Sequence, residues 1–347
     1  MRVWRVHRYG APSEALELDD VADPVPGPGA LAVRVHAAAL NLNDTDMCRG
    51  RYPTINPPLP FPLGMEVVGV VDAAGPGLEK WVGRRVVAVP QGGHGGYADR
   101  ALVPVDMSFD APASLADEQA AAFLIPFHTA HLALHRRGRL QAGETLVVHS
   151  GAGGVGSAAV QLGVAAGARV IATAGGPEKI AFCKELGAEI VVDYGVESFV
   201  DVVLDATGGR GADLICDLVG GDVATRSFAC TAREGRYLIA GFSGGSELGE
   251  TGIAPRPIAW GNFDVIGVMM SWRTEDASPP MRRAGFNSFP RSVGEEIHED
   301  LLALLDAGRI RPIVGRVVEF EGIPAALEDL ESRRTLGKTV ARVAVSS

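Results

Sequence analysis

The sequence predicts an α/β protein of two domains, one rich in short β-strands and one built on a doubly wound parallel sheet. At 347 residues, the chain is longer than a single ordinary hydrophobic core requires. Up to about residue 110, short apolar runs are separated by glycine and proline, whereas from about residue 124 strands and helices alternate. From about residue 311 short strands return. We therefore expect 311–347 to complete the first domain, 1–123, and 124–310 to form the second.

The first domain is predicted from short apolar runs at 32–36, 67–71 and 86–89, each bounded by turn-forming residues. Such runs are typical of a small barrel-like domain. Residues 53–63 read PTINPPLPFPL and contain five prolines. Because proline lacks the backbone donor that a helix needs, this segment is predicted to be an extended loop.

The second domain is predicted from its alternating helices and strands. Helices are expected at 155–166, where Gly167 follows as a stop, and at 177–186, where Pro177 stands in the first turn. Strands are expected at 145–149, 169–173, 190–192, 214–216, 237–240 and 265–268. This βαβ alternation indicates a parallel, doubly wound sheet.

A glycine-rich turn, SGAGGVG, joins the first strand of this sheet to the helix that follows. It fits the pattern G-x-G-x-x-G at Gly151, Gly153 and Gly156, and also contains Gly154 and Val155. The pattern carries meaning because a strand precedes it and a helix follows it. Gly151 would permit the tight turn, Gly153 the approach of a pyrophosphate, and Gly156 close helix packing. The turn therefore predicts a dinucleotide cofactor whose phosphates meet the helix N-terminus.

The cofactor preference follows from the end of the second strand of this sheet. NAD-binding folds place an acid there, about 20 residues beyond the glycines, to bind the ribose 2′-hydroxyl. Residues 172–176 read ATAGG and carry no acid, and Lys179 follows shortly. A missing carboxylate and a nearby ammonium favour a 2′-phosphate, so NADPH is expected. Lys179 is equally well explained as a solvated helix residue, which leaves the missing acid as the firmer observation.

Composition and charge exclude several classes of function. The net charge of −10 and the lack of Lys/Arg runs disfavour nucleic acids and anionic membranes as partners. The four cysteines lie far apart without a C-x-x-C pair, which is typical of reduced thiols in a cytoplasmic protein. The N-terminus lacks the apolar core of a signal peptide, and no stretch of about 20 apolar residues occurs. We expect a cytoplasmic protein that acts on a small molecule.

Several motifs in one order resemble a known family. They are ALNLNDTDMCRGRYP from residue 39, PLGMEVVGVV from 62, PFHTAHLAL from 126, VVHSGAGGVGSAAVQLG from 147, EKIAFCKELGAEIVVDYG from 178, GRYLIAGFSGG from 235 and TLGKTV from 335. Together they resemble the medium-chain dehydrogenase/reductase superfamily, and within it the zinc-free quinone oxidoreductase branch. The resemblance implies a GroES-like β-rich catalytic domain plus a Rossmann domain, with the cofactor in the cleft between them. It also implies homodimers joined through the Rossmann sheets.

The resemblance implies further cofactor contacts at Asn41, Thr129, Gly176, Lys179, Tyr194, Phe242 and Lys338. Of these, Gly176, Lys179 and Tyr194 would surround the 2′-phosphate, and Asn41 and Thr129 would lie near the nicotinamide ribose. Phe242 would line the nicotinamide side and Lys338 would face the cleft. The family often has serine where Gly176 stands, which removes one expected hydrogen bond to the phosphate.

Metal binding is not expected. The resemblance places Asn41 and Met65 where zinc-dependent relatives carry cysteine and histidine, and neither side chain is a good zinc ligand. Glu66 is more simply explained as a buried polar residue at the domain boundary. His128 and His131 stand three apart on a predicted helix without a third ligand nearby in sequence, which favours packing or pocket-lining roles.

The function that the resemblance implies is hydride transfer from NADPH to a quinone or an α,β-unsaturated carbonyl compound, without zinc. A 2-enoyl-thioester reductase is the close alternative, and a non-catalytic NADPH-binding protein is the second. Asn41 and Tyr52 are the candidate catalytic residues. Tyr52 is chosen because similar enoyl reductases place a catalytic tyrosine in a matching G-x-Y element. Tyr52 would deliver the proton that an enone needs beside the hydride. It is equally well explained as packing against the loop prolines.

Three other features are interpreted from the sequence. Asp44 is expected to be a structural acceptor that shapes the substrate loop. The long polar segment 271–292 either covers the cleft or is a flexible surface loop. Gly163 stands mid-helix where the family often has alanine, so it should weaken that helix by ~1 kcal/mol unless packing requires it.

Overall fold

The computed structural model describes residues 1–52, 57–244, 253–275, 279–283 and 285–343. The chain divides into two compact units. The first comprises Met1–Ile125, Ser271–Leu302 and Pro312–Ser347, and the second comprises Pro126–Met270 and Ala303–Arg311.

The strands are β1 Arg2–Val6, β2 Leu16–Asp20, β3 Ala30–Ala39, β4 Phe61–Pro62, β5 Glu66–Ala74, β6 Arg85–Ala88, β7 Arg100–Pro104, β8 Ser108–Asp110, β9 Thr145–Val148, β10 Arg169–Ala174, β11 Ile190–Asp193, β12 Ala212–Asp217, β13 Thr231–Ile239, β14 Asp264–Gly267, β15 Trp272–Arg273, β16 Phe289–Pro290, β17 Val314–Glu319 and β18 Lys338–Arg342. The helices are α1 Pro12–Ala15, α2 Leu42–Cys48, α3 Asp117–Ala121, α4 Leu124–His131, α5 Gly154–Ala165, α6 Pro177–Glu185, α7 Phe199–Ala206, α8 Asp222–Ser227, α9 Pro255–Gly261, α10 Pro279–Arg283, α11 Arg291–Asp306 and α12 Ile323–Glu331. A π-helical stretch, Leu132–Arg137, follows α4.

A seven-stranded sheet forms the centre of the first unit. Its order is β17-β18-β3-β5-β6-β8, with β7 paired to β3. Phe320 and Leu327 are buried in the same apolar cluster as Leu31 of β3, so the C-terminal segment completes this unit. Antiparallel pairing places Ala39 opposite both Val340 of β18 and Glu66 of β5. The ends of β3, β5 and β18 therefore meet at one end of the sheet.

A six-stranded parallel sheet forms the centre of the second unit. Its order is β11-β10-β9-β12-β13-β14, which is 3-2-1-4-5-6 when the strands are counted along the chain. This is the doubly wound order of dinucleotide-binding domains, whose ligands bind where the order reverses, here between β9 and β12. The predicted fold class, a GroES-like β-rich domain plus a Rossmann sheet, is confirmed.

Residues 271–302 depart from the predicted division, which assigned them to the second domain. They lie in the first unit, where Trp272 is 1% exposed and its backbone N–H donates to Met107 Sδ at 3.3 Å. A Cβ at Gly294 would lie 2.8 Å from the Trp272 ring, so that glycine leaves room for the indole. The segment interpreted as a polar loop thus has an apolar anchor, and it contains β15, β16 and α10. Residues 276–278 and 284 lie outside the described residues.

Two further expectations concern glycine and proline positions. A Cβ at Gly163 would lie 2.5 Å from Leu146 Cδ2 and 3.0 Å from Val170 Cγ2, so close packing requires the glycine. In the proline-rich segment, residues 53–56 lie outside the described residues, while Phe61 in β4 pairs with Val6 of β1. None of the described helices is long and apolar enough to cross a bilayer.

Candidate functional site

The glycine turn lies between β9 and α5, where the order of the parallel sheet reverses. A Cβ at Gly156 would lie 2.0 Å from the carbonyl oxygen of Ser150, and one at Gly151 would lie 2.9 Å from Ala172 Cβ. Close packing therefore requires both glycines. At Gly153 the nearest atoms to such a Cβ would be 3.4 Å away. This open backbone at the N-terminus of α5 fits a pyrophosphate, which NADPH would present.

A buried histidine beneath this turn was missed by the sequence predictions. His149 Nδ1 lies 3.2 Å from Thr173 Oγ1, and Nε2 lies 2.9 Å from Ser227 Oγ. Because Ser227 gives its own proton to the Val223 carbonyl, Nε2 donates and Nδ1 accepts. Burial lowers the pKa of His149 to about 4, which keeps the ring neutral. Thr173 Oγ1 also accepts the Ser150 N–H at 3.3 Å, so this network braces the first residue of the turn.

The sequence position of His149 could have indicated its burial, because it stands directly between an apolar strand and a glycine turn.

Asp217 is a second residue that the sequence predictions missed. It ends β12, the other strand at the reversal of sheet order, and it is 1% exposed.

Asp217 fixes the backbone beside Phe242. Its Oδ1 accepts the N–H groups of Val219 and Gly220 at 2.7 and 3.1 Å. The Val219 carbonyl in turn accepts the Gly244 N–H at 2.8 Å. Phe242 lies two residues before Gly244 in the chain, and 55% of its surface is exposed. The side chain is thus held on a fixed turn, available to a ligand.

The predicted 2′-phosphate site lies at the turn between β10 and α6. A Cβ at Gly175 would lie 2.6 Å from the Tyr194 hydroxyl, so that hydroxyl rests against the Gly175 backbone. Gly176 precedes α6 with φ +83° and open space beside it, and Lys179 stands in the first turn of the helix. A serine at position 176 would be strained, because L-residues rarely adopt this backbone conformation. Gly176, Lys179 and Tyr194 therefore belong to one local region of the second unit.

Asn41, Glu66 and Lys338 converge where β3 ends and where β5 and β18 begin. Lys338 Nζ donates to Asn41 Oδ1 at 2.7 Å and lies 3.1 Å from Glu66 Oε2. Asn41 Nδ2 donates to the Ala39 carbonyl at 3.1 Å, and Glu66 Oε1 accepts the Ile125 N–H at 2.7 Å. Glu66 is fully buried, which raises its pKa, while the Lys338 ammonium opposes that shift. The orientation of the Asn41 amide is fixed, because an ammonium only donates and a carbonyl only accepts.

Asp44 lies in the same unit at the start of α2. Its Oδ2 accepts the Asn41 N–H at 2.9 Å and the Tyr97 hydroxyl at 2.6 Å. Burial raises the pKa of Asp44 to about 6, against these hydrogen bonds, which lower it. Asp44 thereby fixes the backbone at Asn41, the residue that receives the Lys338 ammonium.

Tyr52 follows α2 and is half-buried against the apolar core of the first unit. Its hydroxyl accepts a hydrogen bond from Asn43 Nδ2 at 3.2 Å. Arg49, at the end of α2, makes two hydrogen bonds of 2.6 Å to Glu331 of α12. The backbone before Tyr52 is thus fastened to the core, and both interpretations of Tyr52 stay predictions.

The remaining predicted residues lie in the second unit. Thr129 is half-buried in α4, and His128 and His131 are buried in the same helix. Gly154 and Val155 form the first turn of α5. Across the described ranges, no three His, Cys, Asp or Glu side chains gather as potential metal ligands.

Comparisons with known proteins agree with this fold. Residues 27–113 match the alcohol dehydrogenase GroES-like domain, and residues 154–282 match the zinc-binding dehydrogenase domain. Quinone oxidoreductase of Sus scrofa is 30% identical over 342 residues, which are 98% of this chain and 97% of that protein. The structure of Escherichia coli quinone oxidoreductase complexed with NADPH has a TM-score of 0.84 at 28% identity, covering 99% of this chain and 100% of that one. Quinone oxidoreductase from Thermus thermophilus, also solved with NADPH, has a TM-score of 0.77 at 35% identity over the same shares.

The two domains and the glycine turn define a medium-chain dehydrogenase/reductase that binds NADPH. Within that superfamily, the chain belongs to the zinc-free quinone oxidoreductase branch. The predicted family, enzyme class and cofactor are confirmed, and the protein is an NADPH-dependent oxidoreductase. The roles of the individual site residues stay predictions.

Proposed function

We propose that this protein reduces quinones or α,β-unsaturated carbonyl compounds with NADPH and that turnover requires no zinc. The observation that carries the proposal is the contact of the Lys338 ammonium with Asn41 and Glu66. An ammonium has no lone pair to ligate a metal, and its positive charge repels a divalent cation. The similarity to quinone oxidoreductases supports the class of acceptor.

In this proposal the glycine turn and the N-terminus of α5 bind the pyrophosphate of NADPH. Gly176, Lys179 and Tyr194 surround the 2′-phosphate, which the missing acid after β10 and the Lys179 charge both favour. Further contacts come from Asn41, Thr129, Phe242 and Lys338. When bound, NADPH supplies the hydride.

The second candidate is a 2-enoyl-thioester reductase. It is favoured by the hydrogen bond from Asn43 to the Tyr52 hydroxyl, which holds the phenol close to the start of α2. An enoyl or enone substrate needs a proton at the α-carbon, and a tyrosine remains protonated at neutral pH. Reduction of a quinone depends less on such a proton donor, because water can protonate the quinone oxygens.

The experiment that tests the proposal follows NADPH oxidation with a panel of quinones, simple enones and 2-enoyl thioesters. Turnover with quinones or enones, retained after chelation and with substoichiometric zinc by elemental analysis, supports it. Turnover restricted to enoyl thioesters favours the second candidate. Stoichiometric zinc whose removal abolishes turnover would contradict the proposal.

We also propose that the protein is a cytoplasmic homodimer. β14 stands at the edge of the parallel sheet, and Trp260 and Met269 flank it with 74% and 51% of their surfaces exposed. An open edge with exposed apolar side chains favours pairing with a second copy. All four cysteines are buried and unpaired, which fits a reducing compartment. Light scattering on purified protein and fractionation of the native cells test the two statements.

A further inference from the structure

Two loops lie beside the glycine turn at the carboxyl ends of the parallel strands. β9, β12 and β13 are parallel neighbours in that order, so the segments that follow them emerge at the same edge of the sheet. The glycine turn follows β9, residues 218–221 follow β12 and residues 240–244 follow β13. β10, which precedes the proposed 2′-phosphate site, lies on the opposite side of β9. A dinucleotide with its pyrophosphate on the glycine turn therefore extends its nicotinamide half towards β12 and β13.

Main-chain hydrogen bonds join the two loops beyond the ends of their strands. Three N–H groups of the β13 loop donate to three carbonyls at the end of β12 and after it: Ala240 to Asp217 at 2.9 Å, Ser243 to Leu218 at 3.0 Å and Gly244 to Val219 at 2.8 Å. A Cβ at Gly241 would lie 2.9 Å from the Leu218 carbonyl oxygen, so this close approach requires the glycine. The backbone that carries Phe242 therefore depends on where the β12 loop lies.

The β12 loop is restrained by one carboxylate. Gly220 and Gly221 in this loop have φ of +75° and +59°, and glycine loses more conformational freedom on folding than any other residue. Asp217 offsets that freedom, because its Oδ1 accepts the N–H groups of Val219 and Gly220. Its Oδ2 also accepts the Gly220 N–H, at 3.2 Å. The conformation of the loop thus depends on the orientation of the Asp217 carboxylate.

Tyr237 of β13 fixes that orientation. Its hydroxyl donates to Asp217 Oδ2, and both residues are 1% exposed. Burial and the Asp217 charge raise the pKa of Tyr237, so the phenol keeps its proton and remains a donor. The Tyr237 ring packs edge-on against Phe228 with the ring centroids 5.1 Å apart. The hydroxyl therefore reaches the carboxylate from a ring that core packing holds in place.

We infer that Asp217 and Tyr237 are positioning residues for hydride transfer, because they fix the two loops that present Phe242 to the nicotinamide of NADPH. The inference rests on the proposed function, in which Phe242 contacts that side of the cofactor. Both side chains are buried, so they act through the loop backbone and not by touching the cofactor. Hydride transfer is sensitive to such positioning, since a displacement of about 1 Å lowers a rate about 10²-fold.

The test separates the two halves of the cofactor by calorimetric titration with NADPH and with adenosine 2′,5′-bisphosphate, which lacks the nicotinamide. Tyr237→Phe removes the hydroxyl and keeps the ring. It should weaken NADPH binding about three- to tenfold and leave binding of the bisphosphate within about twofold of wild type. Asp217→Asn, which retains one oxygen for the loop N–H groups, should show the same selective loss. Phe228→Leu is the matched control, because it alters the packing of the Tyr237 ring without removing a hydrogen bond, and both affinities should stay within about twofold.

A double-variant cycle tests whether the pair acts through Phe242. Phe242→Ala changes an exposed side chain and should by itself weaken binding of NADPH and not of the bisphosphate. Adding Tyr237→Phe to it should then cost less than about a further twofold, since residues that act through one another are not additive. Fully additive losses would overturn the inference, as would equal losses for the two ligands or an unchanged NADPH affinity in Tyr237→Phe and Asp217→Asn.

Turnover provides a second readout. With a quinone, kcat of Tyr237→Phe should fall about tenfold or more, and the primary isotope effect from NADPH deuterated at the transferred position should increase. Phe228→Leu should show the wild-type isotope effect, and the same increase in both variants would mean that Tyr237 serves only the stability of the core. A wild-type protein inactive on the whole panel would refute the proposed acceptors, and the binding measurements would still decide the inference.

Discussion

Replacing Lys179 with methionine should separate the two nicotinamide cofactors. Methionine keeps the apolar stem of the side chain and removes the ammonium, with its charge and its N–H donors. Lys179 is half-buried in the first turn of α6, directly after Gly176 and close to the turn against which Tyr194 packs. A 2′-phosphate at this turn would meet the ammonium, the helix N-terminus and the tyrosine hydroxyl.

The size of the effect follows from the number of donors. A hydrogen bond between charged groups contributes roughly 1.5–3 kcal/mol, which corresponds to a factor of about 10 to 100 in affinity. The helix N-terminus and Tyr194 remain in the variant, so binding of NADPH should weaken without being abolished. NADH carries a hydroxyl in place of the phosphate, so its affinity should change by less than about twofold.

The assay is titration of both cofactors by fluorescence, followed by KM measurements with one quinone. Lys184→Met is the matched control, because Lys184 is exposed in the last turn of the same helix. It should leave both affinities within about twofold of wild type. Equal losses for NADPH and NADH in Lys179→Met, or no loss for either, would refute the assignment of Lys179 to the 2′-phosphate.

Three other predictions follow. Tyr52→Phe should lower enone or enoyl turnover by about 10²–10⁴-fold and spare quinone turnover, since only the former needs the phenolic proton; unchanged enone kinetics would leave Tyr52 as a packing residue. Gly153→Ala should weaken NADPH binding at unchanged thermal stability. Gly156→Ala should instead lower the melting temperature, because a Cβ there would lie 2.0 Å from a backbone carbonyl oxygen. Equal melting temperatures of the two variants in calorimetry would contradict these separate roles. The pKa of His149 is about 4, below the ordinary value near 6.5, so its contribution to unfolding free energy should be complete above pH 6.5 and be lost towards pH 4. His149→Asn should flatten that decline in urea titrations by up to about 3 kcal/mol, and an unchanged slope would contradict the buried, neutral histidine.

Local patterns in the sequence were enough to predict the parallel sheet and its glycine turn. A strand, a turn of fixed glycine spacing and a helix lie within some 20 residues, so their order in the chain determines their arrangement. The contact between Asn41 and Lys338 could not be derived in this way, because 297 residues separate the two. It depends on the antiparallel register of β18 against β3, which spacing along the chain does not reveal. The resemblance named both residues without giving their contact.

For the segment from residue 271, the local sequence pattern predicted the wrong placement. Its many polar residues predicted a loop, but Trp272 is 1% exposed and the Thr274 N–H donates to Asp106 Oδ2 at 2.9 Å. Contacts with residues far away in the sequence therefore hold the segment in the first unit, and composition does not reveal them. His149 and Asp217 were missed for a related reason, since each acts on backbone groups or hydroxyls that only the folded sheet brings within reach.

The most direct test of hydride transfer without zinc uses metal-free protein, NADPH deuterated at the transferred position of the nicotinamide, and a simple enone. The reduced ketone is analysed by mass spectrometry and NMR. We predict one deuterium at the β-carbon of the product, at a rate unchanged by added zinc. A product without deuterium, or turnover that begins only when zinc is returned, would contradict the proposed function.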